Sequence, residues 1–149
     1  SRWPGEGSLV IEQVAFLDAE NCEQGVFQVG TPLNLSIKFV ARKYGVFRII
    51  PCAVLFRTDG IMVSQFIDNP VELHLEQGET REIRLEYGPL ELGDGNYVFS
   101  VALYRKLDFA NLEQPEIYDL IDRSFEFNVF GNPPLLTALI HHPGKWRVV

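Results

Sequence analysis

The feature that most constrains this chain is a strict alternation of side chains between residues 95 and 105. On an extended backbone every second residue points to the same side, so a period of two indicates a β-strand. The same period recurs along the chain, which predicts an all-β fold in which two sheets bury their apolar faces against each other. One side of this first segment carries Tyr97, Phe99, Val101 and Leu103, and the other carries Ser100, Ala102 and Tyr104.

Further segments with the same character predict the remaining strands. They cover residues 8–17, 33–41, 47–57, 61–67, 79–87 and 120–130, with a short edge piece at 26–29. Thr58-Asp59-Gly60 separates two of them, and an Asp-Gly pair adopts the positive φ of a tight hairpin at low cost. Residues 107–112 are the only segment that suits a helical turn. The sequence therefore predicts an antiparallel β-sandwich of roughly seven to nine strands.

Length, charge and cysteine content exclude several classes of protein. The 149 residues suit one domain with one core. The 13 basic and 20 acidic residues give a net charge of −7, which disfavours nucleic acid as a partner because no basic patch is concentrated in the sequence. The longest apolar run, residues 49–56, is far shorter than the about 20 residues that cross a bilayer. Cys22 lies in a polar turn and Cys52 in the most apolar strand, so we expect two free thiols in a reducing cytosol.

The end of the chain has a different character. Gly131-Asn132-Pro133-Pro134 predicts a stiff, extended hinge, because proline fixes φ. Leaving the following apolar residues in water would cost about 25 cal/mol per Å² of apolar surface. We therefore divide the chain into a sandwich over 1–130 and a hinge with a tail strand over 131–149. Two arrangements stay open: the tail folds back on its own sandwich, or it crosses to a second copy and adds a strand there. The tail residues expected to dock are Leu135, Leu136, Leu139, Ile140 and Trp146.

Motifs for cofactor, metal or nucleophilic chemistry are missing from the sequence. It has no glycine-rich phosphate loop, and its three histidines show no ligand spacing relative to the cysteines. We therefore predict neither a cofactor nor a metal. Acidic pairs such as Asp119 with Asp122, or Asp68 with Glu72, have the residue types of a glycoside hydrolase. Twenty acidic residues supply such pairs by chance, and a solvated surface explains them better.

Sugar binding needs groups that are less conspicuous in a sequence. Flat aromatic faces pack on the apolar side of a pyranose, while acids, amides and guanidinium groups bind its hydroxyls. Tyr104 is the clearest candidate ring, because it lies on the side of its strand opposite Tyr97, Phe99 and Leu103. The candidates on strands expected to share one sheet are Phe56, Arg57, Gln65, Asp68, Asn69, Tyr104, Arg105, Tyr118 and Asp119.

Several motifs, taken in order, resemble one known family. These motifs are Arg2-Trp3, Gly5-Glu6-Gly7, Phe16-Leu17-Asp18-Ala19-Glu20, Val26-Phe27-Gln28-Val29-Gly30-Thr31-Pro32-Leu33, Phe56-Arg57-Thr58-Asp59-Gly60, Pro89-Leu90 through Gly95-Asn96-Tyr97, Tyr118-Asp119 through Asn128-Val129, and His142-Pro143 with Trp146-Arg147. In them the chain is similar to the C-terminal carbohydrate-binding domain of the ATP-binding subunit of O-antigen polysaccharide ABC exporters, the Wzt type.

The resemblance implies an immunoglobulin-like sandwich that recognises the modified non-reducing end of a finished O-polysaccharide in the cytoplasm. It also implies a homodimer, sometimes with exchanged C-terminal strands, at the inner face of the inner membrane. The implied partners are the glycan, the ATP-binding domain and the membrane subunit of the exporter. Binding would tie export to chain termination, and ATP hydrolysis would belong to a nucleotide-binding domain that this chain lacks. Residues 106–115 are longer than a plain hairpin, so we expect the local pocket and its ligand to depart from the family's pattern.

Three hypotheses for function follow from the sequence. The leading one is a non-catalytic glycan-binding domain that uses one sheet face. The second is a structural or protein-interaction sandwich in which the tail serves dimer assembly. The third is a glycan-modifying enzyme that uses an acidic pair such as Asp119 and Asp122.

Overall fold

The described part of the chain, residues 1–111 and 113–149 of a computed structural model, consists of β-strands, turns and loops. It contains no helix, and so none long and apolar enough to cross a membrane. The predicted helical turn over 107–112 extends to Leu112, which lies outside the described residues, and Phe109 and Ala110 form a turn. The strands are β1 (Arg2–Trp3), β2 (Leu9–Leu17), β3 (Val26–Gln28), β4 (Leu33–Ala41), β5 (Gly45–Arg57), β6 (Met62–Ile67), β7 (Val71–Leu75), β8 (Thr80–Tyr87), β9 (Gly95–Lys106) and β10 (Glu116–Phe130).

Two sheets pack face to face. The larger sheet has seven strands in the order β1-β10-β9-β5-β6, with β3 also paired to β10 and β7 also paired to β5. The smaller sheet has the order β2-β4-β8. The predicted all-β antiparallel sandwich is therefore confirmed. β3 differs from the prediction in direction, because it pairs parallel with residues 128–130 at the end of β10.

Alternation along β4 shows why one face of the smaller sheet is exposed to solvent. β4 lies between β2 and β8 and pairs antiparallel with both. Leu33, Leu35, Ile37 and Phe39 are buried in the core, whereas Lys38 on the other side of the strand is exposed. These apolar residues fix the register, because a slip of one position would turn the whole set toward water.

Aromatic side chains from both sheets fill the core. The ring centroids of Phe99 and Phe127 in the larger sheet lie 5.8 Å apart, and that of Phe127 lies 5.2 Å from Phe16 in the smaller sheet. Tyr97 stacks on Phe127 at 5.6 Å and donates its hydroxyl proton to the Gly93 carbonyl, 2.7 Å away. Burying such a ring is worth about 1.5–3 kcal/mol, so this cluster joins the two layers firmly.

Two strands, β1 and β7, were not predicted from the alternation. β7 directly follows Asp68-Asn69-Pro70, which conceals it as part of a turn, and it extends the ladder along the first residues of β5. β5 consequently begins at Gly45 rather than at residue 47, and β10 begins at Glu116 rather than at 120. β1 has only two residues, and its pairing with β10 is a contact that no local pattern indicates.

The tail returns to its own chain through a short contact. The Asn132 amide donates to Asp94 Oδ1 at 2.7 Å, and further along an isolated bridge joins Leu92 to Ile140. Leu139 packs against the core at this point. In this single chain the tail forms one bridge rather than a continuous strand, and most of its predicted docking residues are exposed, with Leu135 at 96% and Trp146 at 100%. Exchange of the tail between two copies remains a proposal.

Candidate functional site

The side of the larger sheet that points away from the smaller sheet carries two of the three predicted sugar-binding rings. Residues of β5 and β9 that belong to the core, such as Leu55 and Phe99, alternate with residues that point the opposite way. We call the opposite surface the outer face. Its members are Ile50, Cys52, Val54 and Phe56 of β5, Val98, Ser100, Ala102 and Tyr104 of β9, Gln65 and Ile67 of β6, and Leu120 and Asp122 of β10.

Small side chains occupy the centre of the outer face and rings lie toward its ends. Cys52, Ser100 and Ala102 are at most 8% exposed. Tyr104 and Phe56 are half-buried and stand about 20 Å apart along the strands, since each residue advances by about 3.3 Å. Burial raises the pKa of the Tyr104 hydroxyl, which therefore stays neutral. The outer face is thus a shallow apolar surface bounded at both ends by aromatic rings.

A bulge in β10 places a cation on this surface. The register between β9 and β10 shifts between Ile121 and Phe125, and Arg123 within the shift has a φ of 40°, which is uncommon for a residue other than glycine. The Arg123 guanidinium carbon lies 5.3 Å from the centroid of the Phe56 ring, within the range of a cation–π contact. The bulge therefore directs Arg123 across the outer face.

Ser100 holds the bulge in place. Its hydroxyl donates to Asp122 Oδ1 at 2.7 Å and accepts from the Arg123 backbone N–H at 2.8 Å. The hydrogen bond from Ser100 lowers the pKa of the Asp122 carboxyl below its ordinary value. Arg123 Nη2 lies 3.2 Å from Asp122 Oδ2. A carboxylate and a guanidinium group thus stand side by side next to Phe56.

An open cleft of about 500 Å³ borders the outer face where β6 and β8 form the edges of the two sheets. This edge cleft shares Cys52, Gln65 and Ile67 with the outer face, and Asp68 and Arg84 also line it. Burial raises the pKa of the Cys52 thiol to about 11, so Cys52 is neutral at pH 7. The edge cleft continues the outer face into the gap between the sheets, with apolar walls and charged groups among its lining residues.

Three further predicted residues lie at the ends of strands: Arg57 is the last residue of β5, and Asp68 and Asn69 follow β6. Arg57 Nε lies 2.9 Å from both carboxylate oxygens of Asp59, and this hydrogen bonding raises the pKa of Arg57 and lowers that of Asp59. Asp68 and Asn69 occupy the turn after β6, where the Asn69 N–H donates to Asp68 Oδ1 at 2.7 Å. The structure brings Asp68 to the edge cleft and leaves Arg57 and Asn69 outside it.

Tyr118 and Asp119 are buried and already have partners within the protein. Asp119 accepts hydrogen bonds from the Arg2 guanidinium and from the Ile11 backbone N–H, the latter at 2.8 Å. The Tyr118 hydroxyl donates to the Arg48 carbonyl at 3.1 Å. These contacts tie β10 to β1, β2 and β5, so we assign both side chains to the support of the site rather than to its surface.

The acidic pair Asp119 and Asp122, considered for catalysis, does not converge on one surface. Asp119 points into the sandwich, whereas Asp122 lies on the outer face. Two carboxylates on opposite sides of one strand cannot flank the same glycosidic bond. Asp68 and Glu72 are both exposed near the edge of the larger sheet. Within residues 1–111 and 113–149, no three His, Cys, Asp or Glu side chains gather into a group that could hold a metal ion.

Arg105 lies in a second cleft, of about 530 Å³, at the end of the sandwich where β9 ends and β10 begins. We call it the end cleft. Arg105 Nε is 3.7 Å from Glu116 Oε2, and both side chains are exposed. The predicted candidates therefore divide among the outer face, the edge cleft, the strand ends, the interior and the end cleft.

A comparison with models of protein families identifies the family of this chain. Residues 1–142 match the sequence model of the Wzt C-terminal domain. The chain belongs to the Wzt C-terminal domain family. This family is a non-catalytic carbohydrate-binding domain of O-antigen ABC exporters. The resemblance read from the sequence motifs is confirmed.

Solved structures agree with the fold of the Wzt family. The crystal structure of the C-terminal domain of Wzt is 15% identical, with a TM-score of 0.81 over 100% of this chain and 88% of that chain. An alkylpurine DNA glycosylase, AlkC, from Pseudomonas fluorescens is 14% identical, with a TM-score of 0.53 over 85% of this chain and 32% of that chain. At these identities both similarities concern the fold alone. A comparison with curated proteins found no significant match.

Sequence reasoning missed Arg123, which forms part of the site beside Phe56. A signal was present, because Asp122-Arg123-Ser124 interrupts the alternation of β10 with three polar residues in succession. Such a break within a strand is typical of a bulge. The position of the bulge next to Phe56 depends on the pairing of β9 with both β5 and β10, which the local sequence does not show.

Proposed function

We propose that this domain binds the modified non-reducing end of an O-antigen polysaccharide on the outer face without catalysing a reaction. This binding would couple chain termination to export. The observation that carries this proposal is the composition of the outer face. Two half-buried rings, Tyr104 and Phe56, bound a shallow surface on which Asp122 and Arg123 are held beside Phe56. Aromatic rings with fixed polar groups beside them supply the apolar contacts and the hydrogen bonds that bind a pyranose.

The site divides the work of recognition between apolar and polar groups. Tyr104 and Phe56 offer ring faces, while Gln65, Asp122 and Arg123 offer hydrogen bonds to hydroxyls. A sugar exchanges bonds to water for bonds to protein at a small net gain, so we expect modest affinity. The edge cleft adjoins the outer face through Gln65, and it offers an enclosed position for a terminal group.

Calorimetric titration with O-polysaccharide from the source organism, with and without its terminal modification, tests this function. We expect binding of the modified polymer, at least tenfold weaker binding of the unmodified one, and loss of binding in Tyr104→Ala. Phe109→Ala is the matched control, because Phe109 is an exposed ring outside the outer face. Equal affinity for both polymers would end the proposal of terminus recognition.

The proposed place of the domain is the cytoplasmic face of the inner membrane, as part of an exporter. The Wzt family is associated with an ABC exporter and a polysaccharide. We propose that the ATP-binding domain and the membrane subunit are its protein partners, with ATP hydrolysis confined to the nucleotide-binding domain. The glycan bound on the outer face would then report to the exporter that a chain is finished.

A second proposed role, dimer assembly, is favoured by the exposed apolar tail. Leu135, Trp146 and Val148 are at least 96% exposed in the single chain. Burying them against a second copy would remove the free-energy cost of exposing their apolar surface to water. We propose a homodimer with the tail exchanged. Light scattering of a Leu135→Ser, Trp146→Ala double variant and of a chain that ends at Gly131 tests it: we expect monomers, and an unchanged dimer mass would exclude the exchange.

A further inference from the structure

The end cleft concentrates positive charge in a protein whose net charge is negative. Lys43, Arg48, Arg105 and Lys106 line it, together with only two carboxylates, Glu6 and Glu116. Four cations and two carboxylates give the lining a charge of +2, against −7 for the whole chain. The remaining residues therefore carry −9, and one of them, Glu113, pairs with Lys106. The end cleft is thus a positively charged region on a chain that is negative elsewhere.

Arg48 has most of its hydrogen-bonding capacity unused. Its Nη1 donates to the Arg105 carbonyl at 3.4 Å, a long contact that leaves most of its five N–H groups available. In the described residues no carboxylate lies within 4.0 Å of its guanidinium nitrogens, although Glu72 faces it across the β5–β7 ladder. An exposed guanidinium group with a free fork suits bidentate binding of phosphate or carboxylate.

Lys43 and Arg105 are paired loosely enough to accept an anion, whereas Lys106 is held by Glu113 at 2.6 Å. The Lys43 to Glu6 distance is 3.5 Å and the Arg105 to Glu116 distance is 3.7 Å, and such exposed pairs contribute little. Glu6 is held elsewhere as well, since it accepts the Ser8 N–H at 2.9 Å. A phosphate that binds Arg48 and Arg105 would therefore not need to break a strong ion pair.

Aromatic side chains line the end cleft beside its charged groups. Tyr44 lines it with an exposed ring, and the buried Tyr118 forms part of its wall. The Tyr44 hydroxyl lies 2.9 Å from His74 Nε2 and the two rings are 5.2 Å apart, so the Tyr44 ring is fixed although it is 60% exposed. A fixed ring beside several cations suits an anion that is attached to a sugar.

The end cleft also lies in line with the outer face. Alternation along β5 places Arg48 on the same side of the strand as Ile50 and Cys52. Ile50 pairs with Tyr104 across the β5–β9 ladder, two residues from Arg48. A glycan that reaches Tyr104 on the outer face therefore approaches the cations of the end cleft.

We propose that the end cleft binds an anionic group, a phosphate or a carboxylate, carried by a sugar unit, with Arg48 and Arg105 as its main donors. That this sugar belongs to the exported glycan rests on the proposed function. The cleft itself is an anion site separate from the aromatic centre of the outer face.

Titration of the full chain, followed by amide chemical shifts in NMR, tests the proposal with four probes: glucose 6-phosphate, glucuronic acid, inorganic phosphate and glucose. We expect glucose 6-phosphate and glucuronic acid to shift the amides of residues 43–48, 105 and 106, and glucose to leave them unchanged. Arg48→Gln and, separately, Arg105→Gln should weaken this binding by about tenfold, as for loss of a charge-assisted hydrogen bond. Lys38→Gln is the control, because it removes one positive charge from the outer side of the smaller sheet.

The outcomes separate this inference from the function on which it partly rests. If inorganic phosphate shifts the same amides as strongly as glucose 6-phosphate, the anion site stands and its ligand is a free anion. If glucose matches glucose 6-phosphate, or if Lys38→Gln weakens binding as much as Arg48→Gln, the proposal is wrong. Failure of the polysaccharide to bind, with glucose 6-phosphate still bound in the end cleft, would overturn the proposed function and leave the anion site intact.

Discussion

The Arg123 guanidinium carbon lies 5.3 Å from the centroid of the Phe56 ring, which connects the bulge of β10 with one end of the outer face. The contact requires a backbone conformation that is unfavourable for arginine, and it directs a cation across the outer face. Arg123 adopts a left-handed φ of 40°, which is held by the Ser100 hydroxyl. Backbone strain that the surrounding structure maintains is often found where a side chain must be directed at a ligand.

Arg123→Ala should therefore weaken polysaccharide binding more than it changes stability. We expect a roughly tenfold higher dissociation constant, because a hydrogen bond to a charged donor contributes about 1.5–3 kcal/mol, and a free energy of unfolding within about 1 kcal/mol of the parent. Calorimetry and urea unfolding measure the two quantities. Arg81→Ala is the control, because Arg81 is an ion-paired arginine of the smaller sheet that lies outside both the outer face and the edge cleft. A stability loss in Arg123→Ala without a change in affinity would limit Arg123 to a structural role.

Asp119→Asn should lower the free energy of unfolding. Asp119 is buried and accepts hydrogen bonds from Arg2 and from the Ile11 N–H, so loss of its charge weakens the link between β10 and the strands around it. We expect the free energy of unfolding to fall by about 2–3 kcal/mol. Urea unfolding checks this value. Asp59→Asn removes a carboxylate from an exposed pair and should cost less than about 1 kcal/mol; equal losses in the two variants would contradict the assignment.

Acid should destabilise the bulge through Asp122. The hydrogen bond from Ser100 lowers the pKa of this carboxyl in the folded state. Its contribution to stability is therefore complete above the unfolded pKa of about 4 and is lost as the pH falls through the lower, folded value. In Ser100→Ala we expect the Asp122 pKa to rise, as measured by NMR titration of the carboxyl carbon. An unchanged Asp122 pKa in this variant would show that Ser100 does not stabilise the carboxylate.

Gly93→Ala should release the tail from the sandwich. A Cβ atom at Gly93 would lie 2.3 Å from the Ala138 carbonyl oxygen, which is too close for any real contact. We expect faster proteolysis between residues 131 and 149 with little change in the core. Gly144→Ala is the matched control, because nothing lies within 4 Å of the corresponding position. Equal proteolysis of the two variants would mean that the Leu92 to Ile140 bridge is not what holds the tail.

The sandwich was predictable because its strands carry a strong period of two. Phe99 and Leu103 had to share a side of β9, and Tyr104 had to lie on the other, whatever the partners of the strand. β7 was not predictable in the same way, since Pro70 precedes it and its five residues alternate too briefly to stand apart from the turn. Short edge strands depend on a neighbouring ladder more than on their own residues.

The candidate site was predictable only in part, because its geometry depends on distant pairings. Alternation places Asp119 on the inner side of β10, yet an acid on an apolar side is normally expected at the surface. Its partner Arg2 is 117 residues away in sequence, so the buried pair has no local signal. The end cleft likewise combines the turn before β5 with the end of β9.

Mapping of the bound glycan by amide chemical shifts tests the central claim most directly. The labelled domain is titrated with modified O-polysaccharide, and the shifted amides are assigned to the two sheets. We predict the largest shifts at Phe56, Gln65, Tyr104 and Arg123, with none on the outer side of the smaller sheet around Lys38. Shifts confined to the smaller sheet or the tail would contradict the outer face as the binding surface.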